Sequence, residues 1–304
     1  MTFFAVRNYY ALPLLALAAC TTRPPAATRL VANPATPQLV SRQFAFTEGP
    51  AVDRAGNVFF TDQPNDKIWK YDTSGQFSVF LDKAGRANGT YFDKQGNLLA
   101  CADAEGQLWS IAPDKQVTVL LRDLGGHQFN GPNDLWVQPQ TGAIYFTDPY
   151  YQRPYWTRSA PDPAIGGQKV YYLPQGASQP VVVDDQLRQP NGIIGTPDGR
   201  TLYVADIEAG RTYRYQIEAD GKLSGRQLFV GQGSDGMTID AQGNVYLTGN
   251  GVTVYSPAGQ KIQQIDVPEK WTANVCFGGK DRKMLFITAS EAVYVLPMQV
   301  RGVN

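Results

Sequence analysis

Six oxygen-bearing side chains stand at a nearly constant distance ahead of a recurring turn. Glu48, Asn88, Asn191 and Asp235 each lie eight residues before a turn glycine (Gly56, Gly96, Gly199 and Gly243). Asn133 lies nine before Gly142, and Asn274 lies eight before Arg282, which takes the glycine slot of a sixth copy. All six side chains carry a carboxylate or an amide carbonyl. Hard oxygen donors with neither sulfur nor imidazole among them suit a divalent cation, Ca²⁺ first, with Mg²⁺, Mn²⁺ or Zn²⁺ behind it. Turn chemistry is the competing explanation, because Asn88, Asn191 and Asp235 are each followed by Gly, a pairing that favours turns. It does not account for Glu48, a poor turn former. The single histidine, His127, rules out a site built on several imidazoles.

The elements that must position these residues are strands. Helical periodicity is nearly absent, and short β-rich runs bounded by Gly, Asp and Asn recur instead. The unit is an apolar strand, a turn of the type Asp-x-x-Gly-Asn, and a second strand, as in Val52–Asp62, Phe92–Leu99 and Ile239–Leu247. Variant copies run Val137–Asp148, Thr196–Asp206 and Phe277–Thr288. The turn slots are separated by 40, 46, 57, 44 and 39 residues, close to what a four-stranded propeller blade requires. The repeat predicts an all-β, six-bladed β-propeller of four-stranded antiparallel blades over residues 38–304, with Leu39–Phe46 supplying the outer strand of the last blade. In that fold the six residues converge at one end of the central channel. Asp62, Asp103, Asp148 and Asp206 recur at the end of the second strand and read as turn-stabilising. The aromatic and arginine-rich insertion at 149–167 leaves the same face and reads equally well as a lid or as a packed surface loop.

The 27 basic and 27 acidic residues cancel, which argues against nucleic acid as a partner, since phosphate binding needs concentrated positive charge. Arg7, the apolar run Tyr9–Ala19 and the tetrapeptide Leu17-Ala18-Ala19-Cys20 read as a lipoprotein-type signal, residues 1–20, with Cys20 as the lipidated residue. An ordinary secretory signal is the alternative. The Pro-rich stretch 21–37 reads as a tether that packs no core. The expected location is the periplasmic side of a bacterial membrane, as an outer-membrane lipoprotein, with the lipid as the only membrane contact. Cys101 and Cys276 lie in apolar runs without metal-ligand spacing, and a disulfide between them is left open.

Glu48-Gly49-Pro50, Phe129-Asn130-Gly131-Pro132-Asn133-Asp134-Leu135, Phe146-Thr147-Asp148-Pro149, Pro190-Asn191-Gly192-Ile193 and Ser234-Asp235-Gly236-Met237, in that order and spacing, resemble the senescence marker protein/gluconolactonase/luciferin-regenerating-enzyme-like family. The resemblance spans Glu48 to Pro297. It implies metal ligands at Glu48, Asn191 and Asp235, with Asn133 touching the metal or its bound water and substrate. It also implies a small-molecule lactone substrate and a gluconolactonase-like, metal-assisted ring opening. Asp235 would accept the proton of the attacking water or attack directly as a nucleophile. A carboxylate on a dication is a weak base, so activation of the water itself must contribute. Asn88, Asn133, Asn274 and His127 would bind substrate. The usual arginine-rich segment before the third-slot Asn reads Gly125-Gly126-His127-Gln128 here, a departure that bears on sugar-lactone specificity. The other readings are a phosphotriesterase-like hydrolase using the same ring and a non-enzymatic periplasmic ligand-binding propeller.

Overall fold

The Asp-x-x-Gly-Asn segments form the inner hairpins of blades one, two and five, and the variant turns do so in the other three. In the computed structural model, which describes residues 1–5, 30–32 and 34–303, the Asp53 carboxylate accepts Asn57 N at 2.9 Å and Asn57 Nδ2 at 2.7 Å. Asp93 with Asn97 and Asp240 with Asn244 repeat the pattern. Gly56 stands at φ +96°, a region that costs an L side chain. Arg282 occupies the same slot at φ +60°. It is held there by guanidinium bonds to the carbonyls of Gly279 at 2.9 Å and Asp53 at 2.7 Å, the latter joining blade six to blade one.

The described residues form six sheets of four antiparallel strands each. Blades one to five are contiguous in sequence, with inner strands Thr47–Val52, Ala87–Phe92, Leu135–Val137, Pro190–Gly195 and Met237–Ile239. Blade six takes Asn274–Gly278, Met284–Ala289 and Ala292–Pro297 from the end of the chain and Gln38–Ser41 from its start. Gln38 pairs with Val295 and Leu39 with Tyr294, so the expected closure between the chain ends is present and no blade edge is left open by it. A 3₁₀ turn at Gln63–Asn65 is the sole helical element among the described residues.

Apolar side chains fill the wedges between blades. Trp136 and Tyr145 of blade three pack with Ile194 and Tyr203 of blade four. Phe60 of blade one meets Phe44 at 5.1 Å and Phe286 of blade six at 5.4 Å between ring centroids. Each such buried ring contributes about 1.5–3 kcal/mol by removal from water. Cys101 and Cys276 are buried free thiols, which answers the disulfide question.

Cys20 and residues 6–20 of the signal segment lie outside the described residues, as does most of the tether. The rest of the tether departs from expectation. Leu30 is buried in the blade-six core and Val31 bridges Met298. The spacer-like composition extends to residue 37, yet Leu30, Val31 and Ala32 are docked. Leu30 supplies the apolar contact, and the Pro297 carbonyl takes Ala32 N at 3.0 Å.

Candidate active site

Each inner strand begins with two residues facing one residue of the second strand. In blade three Asn133 N donates to Thr147 O at 2.9 Å and Thr147 N donates to Asp134 O at 3.0 Å. In four of the pairs the carbonyl of the first residue is gripped by the preceding blade, at Asn88, Asn133, Asn191 and Ala273. Thr61 Oγ1 donates to Asn88 O at 3.0 Å, Thr147 Oγ1 to Asn191 O at 2.8 Å and Thr248 Oγ1 to Ala273 O at 2.8 Å. Backbone bonds say the same, with Gly89 N on Asn133 O at 2.7 Å and Gly236 N on Ala273 O at 2.8 Å. The ring slot is therefore held by Glu48, Asn88, Asn133, Asn191, Asp235 and Ala273. Asn274 lies one residue further along, and its expected place in the ring is corrected. Blade six, like blade three, has an extra residue between ring slot and turn, so an eight-residue offset lands late.

The second residue of the pair is Gly49, Gly89, Asp134, Gly192, Gly236 and Asn274. The glycines serve close approach rather than a turn. A Cβ at Gly89 would lie 2.5 Å from Asp134 Oδ1, and one at Gly236 would lie 1.9 Å from Asn274 Cγ. Blades three and six oppose each other across the axis, and their two side chains fill the space the glycines leave. Asp134 Oδ1 accepts Leu135 N at 2.9 Å and Asn274 Oδ1 accepts Val275 N at 2.8 Å. Burial pushes the Asp134 carboxyl up to about 8, against the pull of the Leu135 and Ile193 N–H groups and the Asn274 amide beside it. Asp134 and Asn274 thus form a neutral plug beneath the ring. Below it opens a cavity of about 560 Å³ walled by Val52, Leu135, Ile194 and Met237, on the face opposite the ring residues.

Two acids meet above the plug. Glu48 Oε2 accepts Gly49 N at 2.7 Å and Asn274 Nδ2 at 3.2 Å. Burial, and then the charge of Asp235, raises its carboxyl well above the usual range. Asp235 is half-buried. Its Oδ1 accepts Asn191 Nδ2 at 2.9 Å and its Oδ2 accepts Trp271 Nε1 at 2.6 Å. Burial pushes Asp235 up to about 6, opposed by Trp271, Asn191 and the Arg153 charge. An ionised carboxylate only accepts, so Asn191 must turn its NH₂ toward Asp235, and its Oδ1 is left buried without a partner. Asn88 Oδ1 is in the same state.

Among the described residues no group of three or more His, Cys, Asp or Glu side chains is gathered for a metal. The donor set is two carboxylates plus amide oxygens. It still fits a hard divalent cation: two acids oppose each other's ionisation, and a buried carbonyl oxygen beside them lacks a hydrogen.

The insertion packs over this mouth. Tyr151 OH accepts a second bond from Asn191 Nδ2 at 2.9 Å. Arg153 Nε donates to Asp103 Oδ2 at 3.2 Å, Tyr155 OH donates to the same oxygen, and Trp156 Nε1 donates to Asp103 O at 3.2 Å. Three strand-end aspartates hold turns as expected, by accepting backbone N–H groups: Asp62 from Ala45 and Phe46, Asp148 from Asn130 and Gly131, Asp206 from Arg188 and Gln189. Asp103 anchors the insertion instead. His127 is exposed and pairs with Asp162 of the insertion at 3.1 Å. Sequence reasoning passed over Tyr151, Trp271 and Asp134. The usable signals were an acid standing where four blades have Gly, and a tryptophan just ahead of the last ring slot.

The chain matches the family model described as SMP-30/Gluconolactonase/LRE-like region over residues 46–291. It is 28% identical over 290 residues to a gluconolactonase of Zymomonas mobilis, covering 84% of this chain and 79% of that one. A solved gluconolactonase structure from Xanthomonas campestris superposes with a TM-score of 0.81 at 30% identity, covering 90% of this chain and 91% of that one. Regucalcin of Agrobacterium tumefaciens, a calcium-binding protein, shares the fold, with a TM-score of 0.73 at 21% identity over 88% of this chain and 96% of that one. With the ring geometry and the match from residue 46 to 291 together, the chain belongs to the SMP-30/gluconolactonase/LRE-like family.

Proposed function

We propose that the protein is a lactone hydrolase of gluconolactonase type, working with a divalent cation, Ca²⁺ first, held by Glu48, Asn191, Asp235 and Asn133. The observation that carries the reading is the pairing of buried Glu48 with half-buried Asp235 beside an Asn191 carbonyl oxygen that has no partner. The similarity to gluconolactonases supplies the reaction class. Held by these residues, such a cation would supply Lewis-acid polarisation of the lactone carbonyl and a more acidic water. Asp235 is placed as the base. Trp271 and Asn191 fix both of its oxygens, and because a carboxylate beside a dication is a weak base, acidification of the water by the cation would have to share the work. Asp235 accepts a proton from the attacking water as the oxygen adds to the acyl carbon. It then returns the proton to the ring oxygen as the C–O bond breaks, leaving a hydroxy acid. Glu48 balances charge, while Asn88 and Asn133 orient substrate oxygens.

The test is hydrolysis of glucono-δ-lactone by the protein lacking residues 1–20, with chelator and with Ca²⁺ restored. Activity that survives complete metal removal would sink the metal role. No turnover of any lactone would sink the reaction class. A lipid anchor at Cys20 and the periplasmic location are proposed on the signal alone, and Cys20→Ser should release the protein from membranes.

A further inference from the structure

The ring itself carries no positive side chain, yet the insertion brings one to its mouth. Arg153 is fixed on two sides: Nε bonds to the buried Asp103 at 3.2 Å, and its guanidinium lies over the Tyr151 ring, 5.1 Å from the centroid. Tyr151 is in turn tied to ring residue Asn191 at 2.9 Å. The plane of the guanidinium is therefore set by groups that belong to the site. Its two terminal nitrogens have no hydrogen-bond partner among the described residues, and the side chain is 22% exposed. Through Tyr151 it stands next to ring residue Asn191, at the mouth where a molecule seated on the ring would lie. The ring also offers a buried acceptor without a hydrogen, Asn88 Oδ1.

A ligand that satisfies both must present oxygen lone pairs to the guanidinium and an O–H to Asn88. Hydroxyl groups do both. An alkyl lactone has only its ester oxygens to accept from the guanidinium and no O–H for Asn88, so it leaves the buried Asn88 oxygen unpaired, the situation that gives large discrimination. We propose that Arg153, held by Asp103 and Tyr151, is a substrate-binding residue that selects polyhydroxylated lactones over alkyl lactones. The insertion thereby supplies the arginine that Gly125–Gln128 lacks. This rests on the lactonase reading and deepens it.

The experiment compares glucono-δ-lactone with δ-valerolactone in the wild type, Arg153→Ala, Arg153→Lys and Tyr151→Phe, each checked for an unchanged unfolding midpoint. Arg153→Ala should lower kcat/KM for the hydroxylated lactone by about 10–100-fold, the worth of hydrogen bonds to a charged group. The loss should fall mainly in KM, with δ-valerolactone altered less than about threefold. Arg153→Lys keeps the charge but not the fork and should recover only part of the loss. Equal losses for both lactones, or no loss for either, would overturn the selectivity. Gluconate binding is measured by calorimetry on the same proteins. If no lactone is turned over, the reaction class fails, and weakened gluconate binding in Arg153→Ala still decides the recognition step.

Discussion

Gly236→Ala tests the architecture under the ring. The added Cβ would sit 1.9 Å from Asn274 Cγ and 2.1 Å from its Oδ1, against a carbon contact distance of roughly 3.5–4.0 Å. Asn274 has no cheap way out, because Oδ1 holds Val275 N at 2.8 Å and Nδ2 holds Glu48 at 3.2 Å. Overpacking costs about 1–3 kcal/mol, and losing the bond to a carboxylate adds about 1.5–3 kcal/mol. The expected destabilisation is about 3–5 kcal/mol, a large part of the roughly 5–15 kcal/mol that holds a domain folded. Gly231→Ala is the control, since no atom lies within 4 Å of its added Cβ. It should change stability by less than about 0.5 kcal/mol. Urea unfolding at constant m reads both. The double variant Gly236→Ala with Asn274→Ala should be more stable than the sum of the single losses by about 1–3 kcal/mol. A Gly236→Ala protein within about 1 kcal/mol of Gly231→Ala, or additive losses in the double variant, would refute the packing argument.

Asp235→Asn should lower kcat/KM by roughly 10²–10⁴-fold, whereas Asp206→Asn, which alters only a turn holder, should lower the urea midpoint and leave kcat within about twofold. In metal-free protein, Asp235 keeps its proton below about 6. Calcium must displace that proton, and the one on Glu48 where it is held, so affinity measured by calorimetry should fall by at least about tenfold per pH unit below that value; a flat profile between pH 5 and 7 would count against the site. Because Glu48 and Asp235 are both raised on folding, their contribution to metal-free stability is full below the ordinary carboxylate range and is lost as pH rises, the Asp235 part through about 6. Calcium at a hundredfold excess over its Kd should then add about 2.7 kcal/mol near pH 8. Burial raises the Cys101 and Cys276 thiols, so both should resist a thiol reagent until the chain unfolds, and fast labelling of the native protein would contradict the packing.

The blade count, the closure and the position of Glu48, Asn133, Asn191 and Asp235 on one line were legible because an Asp-x-x-Gly-Asn turn or a variant of it marks each hairpin and phases what precedes it. Phase failed at Asn274. Ala273 stands nine residues before Arg282, as Asn133 stands nine before Gly142, but alanine carries no oxygen to draw notice and its neighbour does. Asn-Gly and Asp-Gly pairs read as turns, yet the glycines serve contact between adjacent blades, a property of tertiary distance that no local pattern encodes. Tyr151 and Trp271 reach the site from loops, where no period indexes a residue.

The joint in blade six makes the ring a clasp. Its outermost strand comes from Gln38–Ser41, laid along Ala292–Pro297, and the two chain ends are stapled again where Val31 meets Met298 and Gln299 N bonds Leu30 O at 2.7 Å. Every other blade is a continuous run of chain, so this seam is where the circle can part without any hairpin being undone. Tension applied through the residues before Leu30 arrives at that seam, peeling it pair by pair. Circular permutants that join the two ends across the seam and cut an exposed hairpin of another blade would move the weak point without altering the ring.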